Sequence, residues 1–209
     1  MKQINSFTAA FCAAAILAAG LASCETDNYD GPDCTLEGRV IDTVTGRPLL
    51  TEQPDGFRIR YDETSWGDNP VAQYFWARAD GTFTNTRLFA GTYSVTPVEG
   101  AFVTPAAQTV TMQPGATTSV EFTVTPYISF RDVAIAPAGP TSVRVTFTLS
   151  RNVASAPLQD YRVFASSKTP YVGTIVFETA ISTDAIPLTE ADMDHPLTLV
   201  LENYEPGTT

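Results

Sequence analysis

Histidine is almost absent from this sequence: His195 is the only one, and cysteine is limited to three residues. A serine or cysteine nucleophile needs a basic partner, yet His195 sits in Asp192-Met193-Asp194-His195-Pro196 and no Gly-x-Ser-x-Gly elbow occurs. It reads as a solvent-facing loop histidine before a strand. Neither His pairs at helical spacing nor Cys pairs occur, so zinc has no ligand set. Basic residues are also few, with 12 Lys+Arg against 23 Asp+Glu and a net charge of −11. Phosphate binding needs a clustered basic surface, so a nucleic-acid partner is excluded. Helical periodicity is nearly missing, and residues 188–193 are the one expected helical turn.

A long apolar span is lacking as well. The apolar run over residues 7–22 is short and Ala-rich, follows Lys2 and ends in Leu21-Ala22-Ser23-Cys24. A positive n-region, an apolar h-region and small residues before a cut are what a secretory signal requires, so residues 1–23 are expected to be removed. Leu-Ala-Ser-Cys resembles the bacterial lipobox. That resemblance implies a diacylated Cys24 as the first mature residue, with the new amino terminus usually acylated too. At roughly 0.8 kcal/mol per buried CH₂, two or more acyl chains anchor stably where one holds marginally. Residues 24–34 then form a lipidated, acidic tether, since residues 25–30 hold no apolar group that could fold onto a core. Acidic leaders of this kind resemble the export signal of Bacteroidota surface lipoproteins, which implies display on the outer face of the outer membrane. Removing residues 1–23, whose only charge is Lys2, leaves 11 basic against 23 acidic residues, a net of −12. Cys12 leaves with the signal and Cys24 is taken by lipid, so Cys34 has no disulfide partner. It is expected as a small buried residue heading the first strand.

The remaining 186 residues read as strands. Phe57, Ile59 and Tyr61 alternate with Arg58 and Arg60, and Val120, Phe122 and Val124 with Glu121 and Thr123. Further on, Val143, Val145, Phe147 and Leu149 alternate with Arg144, Thr146 and Thr148. Each run has one apolar face, and the runs are separated by Gly, Pro, Asn and Asp turns. The expected fold class is all-β, with two β-sandwich domains in tandem after the lipoprotein signal. The break falls near Thr125-Pro126-Tyr127, where an alternating strand meets a proline that cannot donate to a ladder.

In the first half, Gly38-Arg39-Val40-Ile41-Asp42-Thr43-Val44-Thr45-Gly46-Arg47-Pro48-Leu49 precedes Asp80-Gly81-Thr82-Phe83 and then Leu88-Phe89-Ala90-Gly91-Thr92-Tyr93-Ser94-Val95. Asp-Gly suits the positive dihedrals of a hairpin, and Tyr93 and Val95 are expected to face inward. The order of these three pieces resembles the carboxypeptidase regulatory-like domain. It implies a transthyretin-like seven-stranded sandwich over residues 35–125, a fold without catalytic machinery of its own. Residues 126–209 resemble a fibronectin type III-like module through Ser142 to Leu149, Tyr161-Arg162-Val163-Phe164-Ala165, and Leu199 to Leu201 followed by Asn203-Tyr204-Glu205-Pro206-Gly207. In such modules Pro-Gly-Thr leads into a further core strand, so this second sandwich is expected to be incomplete.

The richest binding segment runs from Tyr61 to Trp76 and holds both tryptophans. Sugars present C–H faces that stack on aromatic rings, while their hydroxyls bond to Asp, Asn and Gln. The glycan-binding candidates are therefore Trp66, Asp68, Asn69, Tyr74 and Trp76, with Trp66 foremost because it lies between Ser65 and Gly67 in a polar loop. Tyr74 and Trp76 share one strand face, and Phe75 and Ala77 the other; one pair must be core. The structural alternative puts Trp76 in the core and Trp66 over a sheet edge. Asp62, Glu63 and Asp68 offer oxygens to calcium from one loop, although acidic loop residues are usually only solvated, so no metal is expected. Carboxylates are abundant, but small sandwiches offer no deep cleft for glycoside hydrolysis.

Signal, Cys24, acidic tether, regulatory-like sandwich and second β module together resemble the two-domain accessory lipoproteins of Bacteroidota glycan-uptake (Sus-like) systems. The resemblance implies a non-catalytic surface lipoprotein without cofactor. Its expected partners are the membrane, through the lipid, a polysaccharide or oligosaccharide, and an outer-membrane transporter with its companion lipoprotein. The alternative function is a purely structural subunit of a surface protein complex.

Overall fold

The structure is a computed structural model that describes residues 30–166, 168–175, 177–178 and 181–204. The expected signal over residues 1–23 and the expected lipidation site Cys24 lie outside the described residues. The chain divides into Met1–Gly31 and a compact unit, Pro32–Thr209. That unit is all-β. No helix among the described residues is long and apolar enough to cross a membrane.

Eight strands build its first half: β1 (Cys34–Asp42), β2 (Arg58–Glu63), β3 (Gln73–Trp76), β4 (Thr82–Leu88), β5 (Gly91–Val98), β6 (Phe102–Val103), β7 (Gln108–Met112) and β8 (Thr117–Pro126). They form two four-stranded sheets, ordered β4-β1-β8-β6 and β3-β2-β5-β7. All pairings are antiparallel except β1 with β8, which run parallel from Thr35↔Thr117 to Asp42↔Val124. The period-two pattern decides the faces. Leu36, Val40, Phe83, Phe122 and Val124 from one sheet meet Ile59, Tyr61, Tyr93, Val95 and Met112 from the other. A relay of rings crosses the layer: Tyr61 lies edge-on to Phe75 at 5.6 Å, Phe75 to Phe83 at 6.1 Å, and Phe83 tilts against Phe122 at 6.5 Å. Each such buried side chain contributes about 1.5–3 kcal/mol over exposure.

Two glycines are fixed by this packing. A Cβ on Gly38 would lie 2.1 Å from the Val120 carbonyl oxygen and 2.5 Å from the Phe83 ring, so Phe83 reaches its site only over a bare backbone. Gly81 takes φ 75° in the Asp80-Gly81 turn, where Asp80 Oδ1 accepts from Thr82 N at 3.0 Å. Cys34 heads β1 fully buried, its thiol directed at the Gln113 carbonyl at 3.2 Å, and burial raises its pKa above the usual thiol value.

The second half contains β9 (Ile128–Gly139), β10 (Ser142–Arg151), β11 (Asp160–Tyr161), β12 (Ile186–Pro187) and β13 (Pro196–Leu201). One sheet is ordered β13-β10-β9, while β11 and β12 form a separate pair. The strand expected over residues 161–165 is thus shorter: its ladder ends at Tyr161 opposite Ile186 and resumes only as an isolated bridge between Phe164 and Ser182. A 3-10 turn occupies Glu190–Asp192, inside the expected 188–193. Phe147, Leu149, Leu188 and Met193 form a separate core, with Phe147 edge-on to Tyr161 at 6.0 Å. β9 is exposed along most of its length: Phe130 and Ile135, opposite Leu149 and Val145, are 63% and 71% accessible.

Tyr127 is the one residue between β8 and β9. Its N–H donates to the Ala101 carbonyl and its carbonyl accepts from Asn152 N, both at 2.9 Å. The Asn152 amide also donates to the Pro126 carbonyl at 3.0 Å and to Ser129 Oγ at 2.7 Å. With both backbone groups of Tyr127 engaged, the joint between the two cores is constrained.

Candidate functional site

β3 is an edge strand of the sheet β3-β2-β5-β7, and its alternation leaves one face to solvent. Ala77 is buried and Phe75 packs against the core, so Tyr74 and Trp76 point outward, 41% and 46% exposed. This resolves the choice left open by the sequence. Trp76 is not a core residue. The register pairs Arg58 with Trp76 and Arg60 with Tyr74, which puts two guanidinium groups on the same outer face as the two rings.

Arg58 ties the cluster together. Its guanidinium carbon lies 4.3 Å from the Tyr74 ring centroid and 5.5 Å from that of Trp76, within cation–π range of both. Glu99, just after β5, grips it in two contacts, Nε to Oε2 and Nη2 to Oε1, each at 2.5 Å. The hydrogen bonds from Arg58 hold the Glu99 carboxyl below the usual glutamate value, and Glu99 in turn raises Arg58. Arg60 is paired in the same way with Asp62, Nε to Oδ1 at 3.0 Å and Nη2 to Oδ2 at 2.8 Å. Two rings thereby lie beside two charge-compensated pairs on one open sheet face, with Arg58 in contact with both.

Trp66, Asp68 and Asn69 lie in the loop between β2 and β3, and all three are exposed, Trp66 by 85%. The base of the loop is fixed: Thr64 N donates to the Thr92 carbonyl at 2.8 Å, Thr92 N to Ser65 Oγ at 2.7 Å, and Ser65 N to Glu63 Oε1 at 2.8 Å. The loop enters β3 at Gln73, whose Oε1 accepts from the Tyr61 hydroxyl at 3.0 Å. The structure therefore places Tyr74 and Trp76 together, and Trp66, Asp68 and Asn69 on the adjoining loop. Sequence reasoning missed Arg58 and Glu99 as members of the site. Strand alternation already put Arg58 outward, but Glu99 arrives only through the β2–β5 register, in which Arg58 faces Val98.

Asp62 and Glu63 spend carboxylate oxygens on Arg60 and Ser65, and no group of three His, Cys, Asp or Glu that could hold a metal occurs among the described residues. His195 is exposed immediately before β13. A concavity of about 510 Å³ lies on the outer face of β4-β1-β8 near Glu37, Arg39, Arg78, Ser119 and Glu121. Two polar pairs within it are engaged, Arg39 with Glu121 at 2.6 Å and Ser119 with Glu37 at 2.9 Å, and Phe83, its one aromatic lining residue, is buried. It offers no ring face to a ligand.

The chain spans more than three quarters of several crystal structures from Bacteroides and Parabacteroides species. A "putative carbohydrate binding protein" from Bacteroides uniformis ATCC 8492 matches with TM-score 0.68 and 22% identity, over 82% of this chain and 80% of that one. A DUF3823 family protein from the same organism matches with TM-score 0.69 and 23% identity over 84% and 85%. Another, from Parabacteroides merdae ATCC 43184, gives TM-score 0.63 and 21% identity over 86% and 84%. At these identities the likeness is one of fold. No curated protein matches the sequence. Residues 34–125, from the head of β1 to the penultimate residue of β8, match the family described as "Protein of unknown function (DUF3823) N-terminal domain", so the first half of the chain is similar to that domain.

Proposed function

We propose that the protein is a non-catalytic glycan-binding lipoprotein of the outer membrane, anchored through Cys24 and facing the cell exterior. In this reading it serves a polysaccharide-uptake system beside an outer-membrane transporter and its companion lipoprotein. The observation that carries the binding function is the outward pair Tyr74 and Trp76, braced by Arg58 and Glu99. Large aromatics on the outside of a closed sandwich have no packing duty. Their C–H-binding faces beside carboxylates and guanidinium groups are what a sugar requires. A relative of the same fold named for carbohydrate binding adds a precedent.

The test is a glycan panel read against the unaltered protein and the variants Tyr74→Ala and Trp76→Ala, with a thermal melt of each. Retention of a glycan by the unaltered protein and its loss in folded variants is the expected result. For the anchor, Cys24→Ala should release the protein into soluble fractions, and the unaltered N-terminal peptide should carry acyl mass.

A structural-subunit role is the second reading. The exposed apolar residues Phe130, Val133 and Ile135 on β9 favour it, since clustered apolar surface commonly marks protein contacts.

A further inference from the structure

We propose that the ligand of the Tyr74–Trp76 face is an internal stretch of a neutral polysaccharide, laid along the edge strand β3 toward the Trp66 loop. The inference rests on the glycan-binding reading and adds the class and binding mode of the glycan. Its first basis is charge. Both guanidinium groups of the face are already compensated, Arg58 by two contacts with Glu99 and Arg60 by two with Asp62. A uronate or sulfate would find no free cation there and would approach a chain of net charge −11. Sugar hydroxyls, by contrast, can both donate to the carboxylates and accept from the guanidinium edges without displacing either pair.

The second basis is shape. Tyr74 and Trp76 alternate on one strand, which sets them about 6.6 Å apart along the chain direction at roughly 3.3 Å per residue. β3 is the outermost strand of its sheet, so nothing within that sheet walls the rings on the β3 side. Both rings remain close to half exposed on the sheet face. Continuing past Gln73, the edge leads into the loop that carries Trp66, the most exposed aromatic among the described residues. Rings set in a line on an open face contact successive sugars of a passing chain; recognition of a chain end needs a pocket closed around one terminal sugar. The Glu99–Arg58 clamp fixes the rings before the ligand arrives, which lowers the ordering cost of binding.

The experiment is affinity electrophoresis of the full chain in gels containing xylan, mixed-linkage β-glucan, galactomannan, amylose, polygalacturonate or chondroitin sulfate. Titration calorimetry then follows with the monosaccharide, trisaccharide and hexasaccharide of any polymer that retards the protein. Retardation by at least one neutral polymer is expected, lost in the Tyr74→Ala/Trp76→Ala double variant and preserved in Trp76→Phe. Affinity should rise at least about tenfold from monosaccharide to hexasaccharide. It should also hold between about 0.1 M and about 1 M salt, across which the Debye length falls from ~10 to ~3 Å. Retardation by the acidic polymers alone, salt-sensitive binding, or a hexasaccharide bound no more tightly than its monosaccharide would overturn this inference while leaving glycan binding intact. Absence of retardation by every polymer, or equal retardation of the double variant, would overturn both.

Discussion

The two halves of the Pro32–Thr209 unit are written in the same alternating code and are buried very differently. Among the described residues the first core gathers sixteen buried side chains, the second four, so coverage and not pattern separates them. In the first half each sheet finds a facing sheet, and Phe57, Phe83, Phe102 and Phe122 disappear between them. In the second, β10 buries Phe147 and Leu149, but the inward positions Phe130 and Ile135 on β9 stay open. Alternation tells which face of a strand is apolar; whether that face is covered depends on what packs against it. The distinction also separates two kinds of exposed aromatic residue. Phe130 is exposed on the inward face of its sheet, whereas Tyr74 and Trp76 lie outside a core that is already full. Only the latter have no packing explanation.

The largest effect should come from the closed core. Phe83→Ala or Phe122→Ala should cost about 3–5 kcal/mol, measured by denaturant unfolding, because neighbouring rings would leave a cavity. Phe130→Ala, with much of its ring already in water, should cost less than about 1 kcal/mol. Equal losses at Phe83 and Phe130 would break the comparison. Next, Trp76→Ala should leave stability within about 0.5 kcal/mol, as for other exposed positions, while lowering glycan affinity by on the order of 1 kcal/mol, about fivefold. Calorimetry and a melt on the same sample separate the two effects. Trp66→Ala should likewise leave the melt unchanged, and the size of its affinity loss relative to Trp76→Ala measures how far the bound glycan extends along the loop.

The smallest effect concerns Glu99. Its folded-state pKa is depressed by the hydrogen bonds from Arg58, so any stability the pair adds is present above the ordinary glutamate range and lost as pH falls through the folded value. The carboxyl is half exposed, which limits that contribution. Carboxyl NMR titration of the unaltered protein and of Arg58→Met should show the Glu99 midpoint moving up toward ordinary glutamate in the variant.

Much of the scaffold was legible because strand alternation and turn chemistry are local. Phe57, Ile59 and Tyr61 point inward as their spacing requires, the Asp80-Gly81 turn has its positive φ, and β8 ends at Pro126, where a proline stops the ladder. Alternation also narrowed the site to two pairs, Tyr74 with Trp76 or Phe75 with Ala77. Choosing between them required knowing which side of β3 faces Phe83, a contact between different sheets. The Arg58–Glu99 clamp was not legible for a related reason, since its partners are 41 positions apart and meet only through the register of β2 on β5. Phe164 illustrates the converse: its apolar surroundings read as a continuous strand, but it forms only an isolated bridge with Ser182.

The most direct test uses the scarcity of tryptophan, of which the chain has two. In Trp66→Phe, Trp76 becomes the sole tryptophan, and its emission reports on the outward face of β3 alone. Titrating this variant with a neutral polysaccharide that retards the protein should shift the emission to shorter wavelength in a saturable way, as the ring loses water to a stacked sugar. Saturable binding with no change in Trp76 emission would place the glycan elsewhere and contradict the account.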